Sequence, residues 1–222
     1  MGAGGRLAWA CALTAALVTV PHAPPVQAAP VAPACFEPAT KAKAKRARGA
    51  PPAPLVIGDS VMVYSVPLLG RAGFDADARA CRSWVDAHRM IREHRAHRTL
   101  PSVVVVALGA NGPFTVQDIA RTLGLMGPNR VLALLTSRFS GDRPGFGAAA
   151  IYEAGRRYPG RVQVLDWVRV STNHPQWFAR DGVHLGSKAG IDAYTALIKR
   201  AHPRNTMVVG TLRPGVDVSA GS

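Results

Sequence analysis

Residues 102–109 read SVVVVALG. An unbroken apolar run, largely β-branched, suits a strand buried on both faces, as a central strand of a parallel sheet must be. A half-exposed strand would alternate instead. The run therefore commits the chain to covering both sides of a sheet. Apolar runs at 53–59, 129–137 and 161–167, with an alternating piece at 74–80, read as further strands. Stretches at 61–73, 83–97, 115–126, 145–158 and 187–202 read as helices. Pro67 marks a kink or an early end in the first of them. Val85, His88 and Ile91 line one side of the second, and Thr115 is placed to cap the third, with Asp118 in its first turn. Strands alternating with helices at this spacing predict an α/β three-layer sandwich: a five-stranded parallel sheet with helices on both faces.

The chain has 222 residues, 48% of them hydrophobic, enough for one well-buried domain with tails. Residues 1–28 read as a signal peptide: Arg6 supplies the positive start, 7–20 the apolar stretch, and Val26-Gln27-Ala28 the small residues before a cut at Ala29. The alternative is an uncleaved N-terminal anchor. No other segment is apolar for long enough to span a bilayer. Residues 29–53 read as a basic, Pro/Ala-rich linker, 54–202 as the α/β domain, and 203–222 as a C-terminal tail in which 206–210 can add an edge strand. Of three cysteines, Cys11 lies in the leader. Cys35 and Cys81 remain, and an exported, oxidising setting predicts a disulfide between them that ties the N-terminal arm to the domain. The alternative is two unpaired buried thiols.

The formal net charge is +14, and loss of Arg6 with the leader leaves 14 − 1 = +13. Part of it lies in KAKAKRAR at 41–48, part in HRMIREHRAHR at 88–98. An exported protein of this charge is expected to linger on anionic envelope polymers. No zinc-finger spacing or RNA-binding motif accompanies the charge, so nucleic acid is not expected as a partner. Nothing suggests a metal or a nucleotide cofactor, and the expectation is none. His94 and His97 are spaced to face one ion, but no carboxylate supports them, and His88, His94 and His97 read as surface residues.

In open parallel sheets the functional site lies at the carboxyl ends of the strands. Gly58-Asp59-Ser60 ends the first strand, Gly109-Ala110-Asn111-Gly112 follows the third, and Asp181-Gly182-Val183-His184 precedes the last helix. Each alone is an ordinary turn or cap. Together their chemistry is complementary. A serine hydroxyl must lose its proton as it attacks. His184 can take it, and Asp181 can hold the other ring nitrogen and stabilise the imidazolium. The Asn111 side-chain amide and the Ser60 backbone N–H can donate to an oxyanion, where losing one donor costs about a hundredfold in turnover. Asp59 is expected to support the turn by hydrogen bonding. Trp167, Trp177 and Phe178 can line a pocket or simply pack. Arg82 can steer an anionic substrate or serve as a structural ion-pair partner.

These blocks resemble those of the SGNH hydrolases, the GDSL esterase/lipase superfamily, over about residues 54–200. VIGDSVMV, DARACRSW, VVVALGANG and DGVHLGSKAG are similar to the extracellular SGNH domains attached to membrane acyltransferases that O-acetylate peptidoglycan and other envelope glycans. The resemblance implies a flavodoxin-like SGNH fold, a catalytic set of Ser60, Asp181 and His184, and an oxyanion hole of Ser60, Cys81 and Asn111. It departs in two places. Cys81 stands where the second block usually offers a glycine N–H, and GANG replaces the commoner Gly-x-Asn-Asp. The membrane acyltransferase domain is not in this sequence, so an acyl donor would be soluble or delivered by a separate membrane protein. The implied activity is that of a secreted esterase or O-acetyltransferase on small acyl esters of polysaccharide. The alternatives are a lipid ester or thioester hydrolase, and a non-catalytic wall-binding module on the same fold.

Overall fold

The valine run at 103–107 forms one of the two middle strands of a six-stranded sheet. The computed structural model describes residue 1, residue 35 and residues 37–201. The leader at 1–28, the tail at 203–222 and the edge strand at 206–210 expected above lie outside the described residues, residue 1 excepted.

The strands are β1 (Thr40–Ala42), β2 (Leu55–Gly58), β3 (Asp75–Ala78), β4 (Val103–Ala107), β5 (Val131–Leu135), a small hairpin of β6 (Arg138–Phe139) and β7 (Arg143–Pro144), and β8 (Val162–Leu165). The main sheet runs β1-β3-β2-β4-β5-β8. Its last five strands are parallel, and β2 pairs with both β3 and β4, Val56 lying opposite Ala76 and Val105. Counted over these five, the order is 2-1-3-4-5, the flavodoxin-like arrangement with its switch point beside β2.

Side chains alternate across a strand, so the apolar runs feed two cores. Val103, Val105, Ala107, Val56 and Leu135 pack toward α1 (Val66–Arg71), α5 (Trp167–Ser171) and α6 (Lys188–Lys199). Val104, Val106, Ile57, Leu132 and Leu134 pack toward α2 (Trp84–Ala96), α3 (Val116–Met126) and α4 (Ala148–Arg157). The three layers expected from the sequence are present.

Four local expectations change. The sixth strand comes from the stretch read as a linker. β1 pairs antiparallel with β3, Thr40 opposite Ala78 and Ala42 opposite Ala76. Lys41 Nζ lies 3.3 Å from Asp77 and Lys43 Nζ 3.0 Å from Asp75, whose Oδ1 also accepts the Ala44 N–H. Basic residues therefore dock on the aspartates of the Asp-Ala-Asp-Ala strand, while Ala42 between them packs on the core. Second, the helix expected over 61–73 starts as a 3-10 turn at Ser60–Ser65 and continues as α1, with Pro67 in its first turn, where a missing N–H costs nothing. Third, Val85 is exposed, and the buried stripe of α2 is Trp84, Ala87, His88, Met90 and Ile91. Fourth, His88 is no surface residue: its Nε2 accepts Trp84 Nε1–H at 3.2 Å and lies 2.8 Å from Thr122 Oγ1. His97 is exposed, and half-buried His94 contacts Thr99 Oγ1 at 3.0 Å. Among the described residues no cluster of His, Cys, Asp or Glu is placed to hold a metal ion. None of the described helices is long and apolar enough to cross a membrane.

Candidate active site

The site forms at the carboxyl end of β2. A Cβ on Gly58 would meet Met62 at 2.6–2.7 Å, so the turn into the 3-10 segment needs glycine. Asp59 follows, buried, and its Oδ1 accepts the Val61 N–H at 3.0 Å. Its Oδ2 accepts the N–H groups of Gly109 (3.4 Å) and Ala110 (3.2 Å), from the loop after β4. Burial pushes the Asp59 carboxyl pKa up, and these backbone donors offset part of that rise. Asp59 thus supports the turn as expected and also ties the first block to the third. Ser137 Oγ adds a hydrogen bond to the Gly109 carbonyl at 2.7 Å.

Ser60 opens the 3-10 turn, half-buried, with Oγ 2.9 Å from His184 Nε2. His184 Nδ1 lies 2.6 Å from Asp181 Oδ2. Asp181 Oδ1 accepts the N–H groups of Val183 and His184 at 2.9 and 3.0 Å, so one carboxylate orients both the ring and its loop. Partial burial raises the Asp181 pKa. The His184 side chain and the two backbone donors outweigh that and hold it below the usual carboxylate range. Gly182 turns this loop at φ +67°, and a Cβ there would meet Ser140 at 2.9 Å. The Phe178–Leu185 bridge and the Ala179 N–H on the His184 carbonyl (2.8 Å) close the base of the loop.

Asn111 is exposed, and one N–H of its amide donates to the Arg82 carbonyl at 3.3 Å. An amide nitrogen carries two such hydrogens. Cys81 adopts φ +58° and is bonded to Cys35, with a Cα–Cα separation of 5.1 Å. The expected disulfide is therefore present. Both cysteines are exposed, so the alternative of buried thiols falls. Arg82 is an internal ion-pair partner: its guanidinium lies 2.7 Å from Asp77 Oδ1 and also donates to the Gly58 carbonyl at 3.2 Å. Buried this way, it cannot steer a substrate.

Ser60 and His184 open onto a groove of about 630 Å³ with Val63, Tyr64, Leu185 and Ile191 on its walls. Glu37 and Lys188 also line it, and Tyr64 is 64% exposed. Tyr64, Glu37 and Lys188 were not singled out in the sequence. Tyr64 could have been, since it stands four residues past Ser60 in the same short helical segment. Trp167 and Phe178 are core. Trp167 packs on Tyr194 at 5.0 Å, and Phe178 lies under the Arg138 guanidinium at 3.9 Å. The gap lined by Asp59, Trp167 and Tyr194 is only about 10 Å³, too small for an acyl chain. Trp177 is half-buried and stacks on His174 at 3.9 Å.

A 2-1-3-4-5 sheet with serine, histidine and aspartate linked in series at its carboxyl rim is the arrangement that the SGNH resemblance implies. Comparison with known proteins gives the following relatives. The chain is 35% identical over 148 residues to the O-acetyltransferase OatA of Staphylococcus aureus (strain NCTC 8325 / PS 47), covering 65% of this chain and 24% of that one. It is 32% identical over 146 residues to the peptidoglycan O-acetyltransferase OatA of Listeria monocytogenes serovar 1/2a, covering 65% and 23%. The C-terminal catalytic domain of peptidoglycan O-acetyltransferase A from Streptococcus pneumoniae superposes with a TM-score of 0.59 at 24% identity, over 72% of this chain and 97% of that one. That likeness is one of fold. No family model matches the chain. Its homologues are thus OatA O-acetyltransferases, and the resemblance read from the motifs stands. The chain spans about a quarter of the length of these curated relatives.

Proposed function

We propose that this protein is an exported, serine-dependent O-acyl esterase or O-acetyltransferase, acting on small acyl esters of cell-envelope polysaccharide, peptidoglycan foremost. The observation that carries the reading is the unbroken series from Asp181 through His184 to Ser60, at 2.6 and 2.9 Å. The relatives' printed activity supports the substrate class. The leader-like residues 1–28 and the disulfide support export. The charge, 14 − 1 = +13 without the leader, supports retention on anionic envelope polymers.

Ser60 donates its proton to His184 Nε2 as Oγ attacks the ester carbonyl carbon. Asp181 accepts the Nδ1–H and stabilises the imidazolium. Negative charge collects on the former carbonyl oxygen, facing the second N–H of Asn111 and the backbone N–H groups of Ser60 and Cys81. As the C–O bond to the alcohol breaks, His184 returns the proton to the departing oxygen, leaving an acyl-Ser60. Water then attacks and yields the acid, or a sugar hydroxyl attacks and takes the acyl group, His184 again accepting the proton. The acyl group comes from a soluble ester or from a donor at the membrane.

The test is nitrophenol release from a short aryl acetate by the mature protein and by Ser60→Ala, followed by addition of soluble glycan oligomers. Serine-dependent release is expected, with part of the acyl flux diverted to the sugar if transfer operates. A folded wild-type protein that neither releases nitrophenol nor reacts with a fluorophosphonate would overturn the reading and favour a binding module.

A further inference from the structure

The mechanism uses Cys81 only through its backbone, yet its side chain is bonded to Cys35, 46 residues earlier. Its φ of +58° lies in the left-handed region, which a residue with a Cβ seldom enters without being held there. The neighbours of Cys81 explain what the hold can do. On one side, Ala80 lines the groove together with Ser60 and His184. On the other side, the Arg82 carbonyl receives the Asn111 amide. The Arg82 side chain is 4% exposed and grips the end of β2 through the Gly58 carbonyl, two residues before Ser60. The loop is anchored again where the Arg79 N–H donates to Gly58, at 3.2 Å.

The far end of the bridge is also fixed. Five residues after Cys35, β1 joins the sheet on β3. Asp77 of β3 takes both Lys41 from the arm (3.3 Å) and Arg82 from the loop (2.7 Å). Glu37, between the cysteine and the strand, lines the same groove as Ser60. Arm, loop and nucleophile turn are therefore linked by one covalent bond and two ion pairs to a shared carboxylate.

Resting on the reading under Proposed function, we propose that the Cys35–Cys81 bridge is a positioning device. It holds the backbone of residues 80–82 so that the Arg82 carbonyl aims the Asn111 amide at the developing oxyanion. Arg82 is the positioning residue through which the bridge acts. Neither cysteine contributes to the two buried cores, so a bridge-free protein still has both cores to fold around.

The test compares the mature protein with Cys35→Ser and with the double variant Cys35→Ala/Cys81→Gly. Glycine accepts the positive φ without help, and the double variant has neither cysteine of the bridge. In both, kcat on a short aryl acetate is expected to fall about tenfold or more, as for a slightly misplaced catalytic group, with KM within about twofold. The side-chain NH₂ signals of Asn111 in a nitrogen–proton spectrum are expected to shift or broaden in both. A bridge that only stabilises the fold would lower the melting temperature and move neither readout. Asn111 signals that stay in place in the bridge-free variants overturn the proposal, whatever the activity does. Should the wild type itself hydrolyse no ester, the functional reading fails separately, and the Asn111 signals still decide the positioning claim.

Discussion

The carboxylate of Asp59 reaches across from the end of β2 to accept the backbone N–H of Ala110, 3.2 Å away in the loop after β4. The turn that carries Ser60 and the loop that carries Asn111 are held as one piece by this contact. The residue beside the serine thus acts on the site through the backbone and takes no part in proton transfer.

Asp59→Asn and Asp59→Ala should therefore differ. The amide sheds the burial cost of the charge but keeps only one acceptor oxygen, so either Val61 or the Gly109–Ala110 pair faces an NH₂ and loses its partner, and the cost should be about 1–2 kcal/mol. Alanine leaves buried donors unpaired and should cost about 2–3 kcal/mol. Both should lower kcat, alanine more, because Asn111 is less well held. Denaturant unfolding and aryl-acetate kinetics on the same samples check this.

Asp181→Asn should lower stability only a little, since the side chain is half exposed, and lower kcat by about ten-thousandfold. The sign of the acid side follows from its lowered pKa. The stability that its ionised form contributes is complete above the unfolded value of about 3.9 and is lost only as pH falls through the lower folded value. Unfolding of wild type and Asp181→Asn should therefore differ most above about pH 4 and converge in stronger acid.

Gly182→Ala tests whether the histidine loop depends on its backbone turn. An alanine at φ +67° costs about 1–2 kcal/mol, and its Cβ would press on Ser140. Because Gly182 stands between Asp181 and His184, kcat should drop more than stability does. Equal kcat in a destabilised but folded variant would show that the loop keeps its geometry regardless.

Tyr152 supplies an alkaline prediction away from the site. Its hydroxyl donates to Asp166 Oδ1 at 2.9 Å, and its pKa is pushed up to about 12, by burial first and by that carboxylate second. The neutral form is favoured by the fold. Its contribution is complete below about pH 10, the unfolded value, and is lost as pH rises toward 12. Tyr152→Phe should remove that slope from the difference in stability between pH 9 and pH 12.

Much of the site was legible because its three blocks are contiguous and each sits next to a strong signal. The apolar strands before Gly58 and Gly109 announce the parallel sheet, and a parallel sheet brings its carboxyl ends to one rim. That is why Ser60, Asp181 and His184 could be named before their separation was known. Trp167 and Phe178 were undecided because an aromatic residue near a site reads the same whether it packs or binds. His88 was misread because Arg89, Arg92 and Arg95 mask the single buried stripe of α2. β1 was invisible for a related reason: its residues carry no apolar period, and it becomes a strand by pairing with β3, whose aspartates take its lysines.

Local pattern was enough to anticipate the five parallel strands, their two buried faces and the serine, histidine and aspartate proposed as the catalytic set, because burial periodicity and side-chain chemistry are written residue by residue. Tertiary structure decided what depends on distant partners: that Asp59 reaches Ala110, that Lys41 reaches Asp77, and that Glu37 shares the groove with Ser60. No window of sequence contains those pairs. They exist because the sheet order places β3 beside β2 and the arm beside β3, and a carboxylate is matched only when the chain brings its partner within a few ångströms.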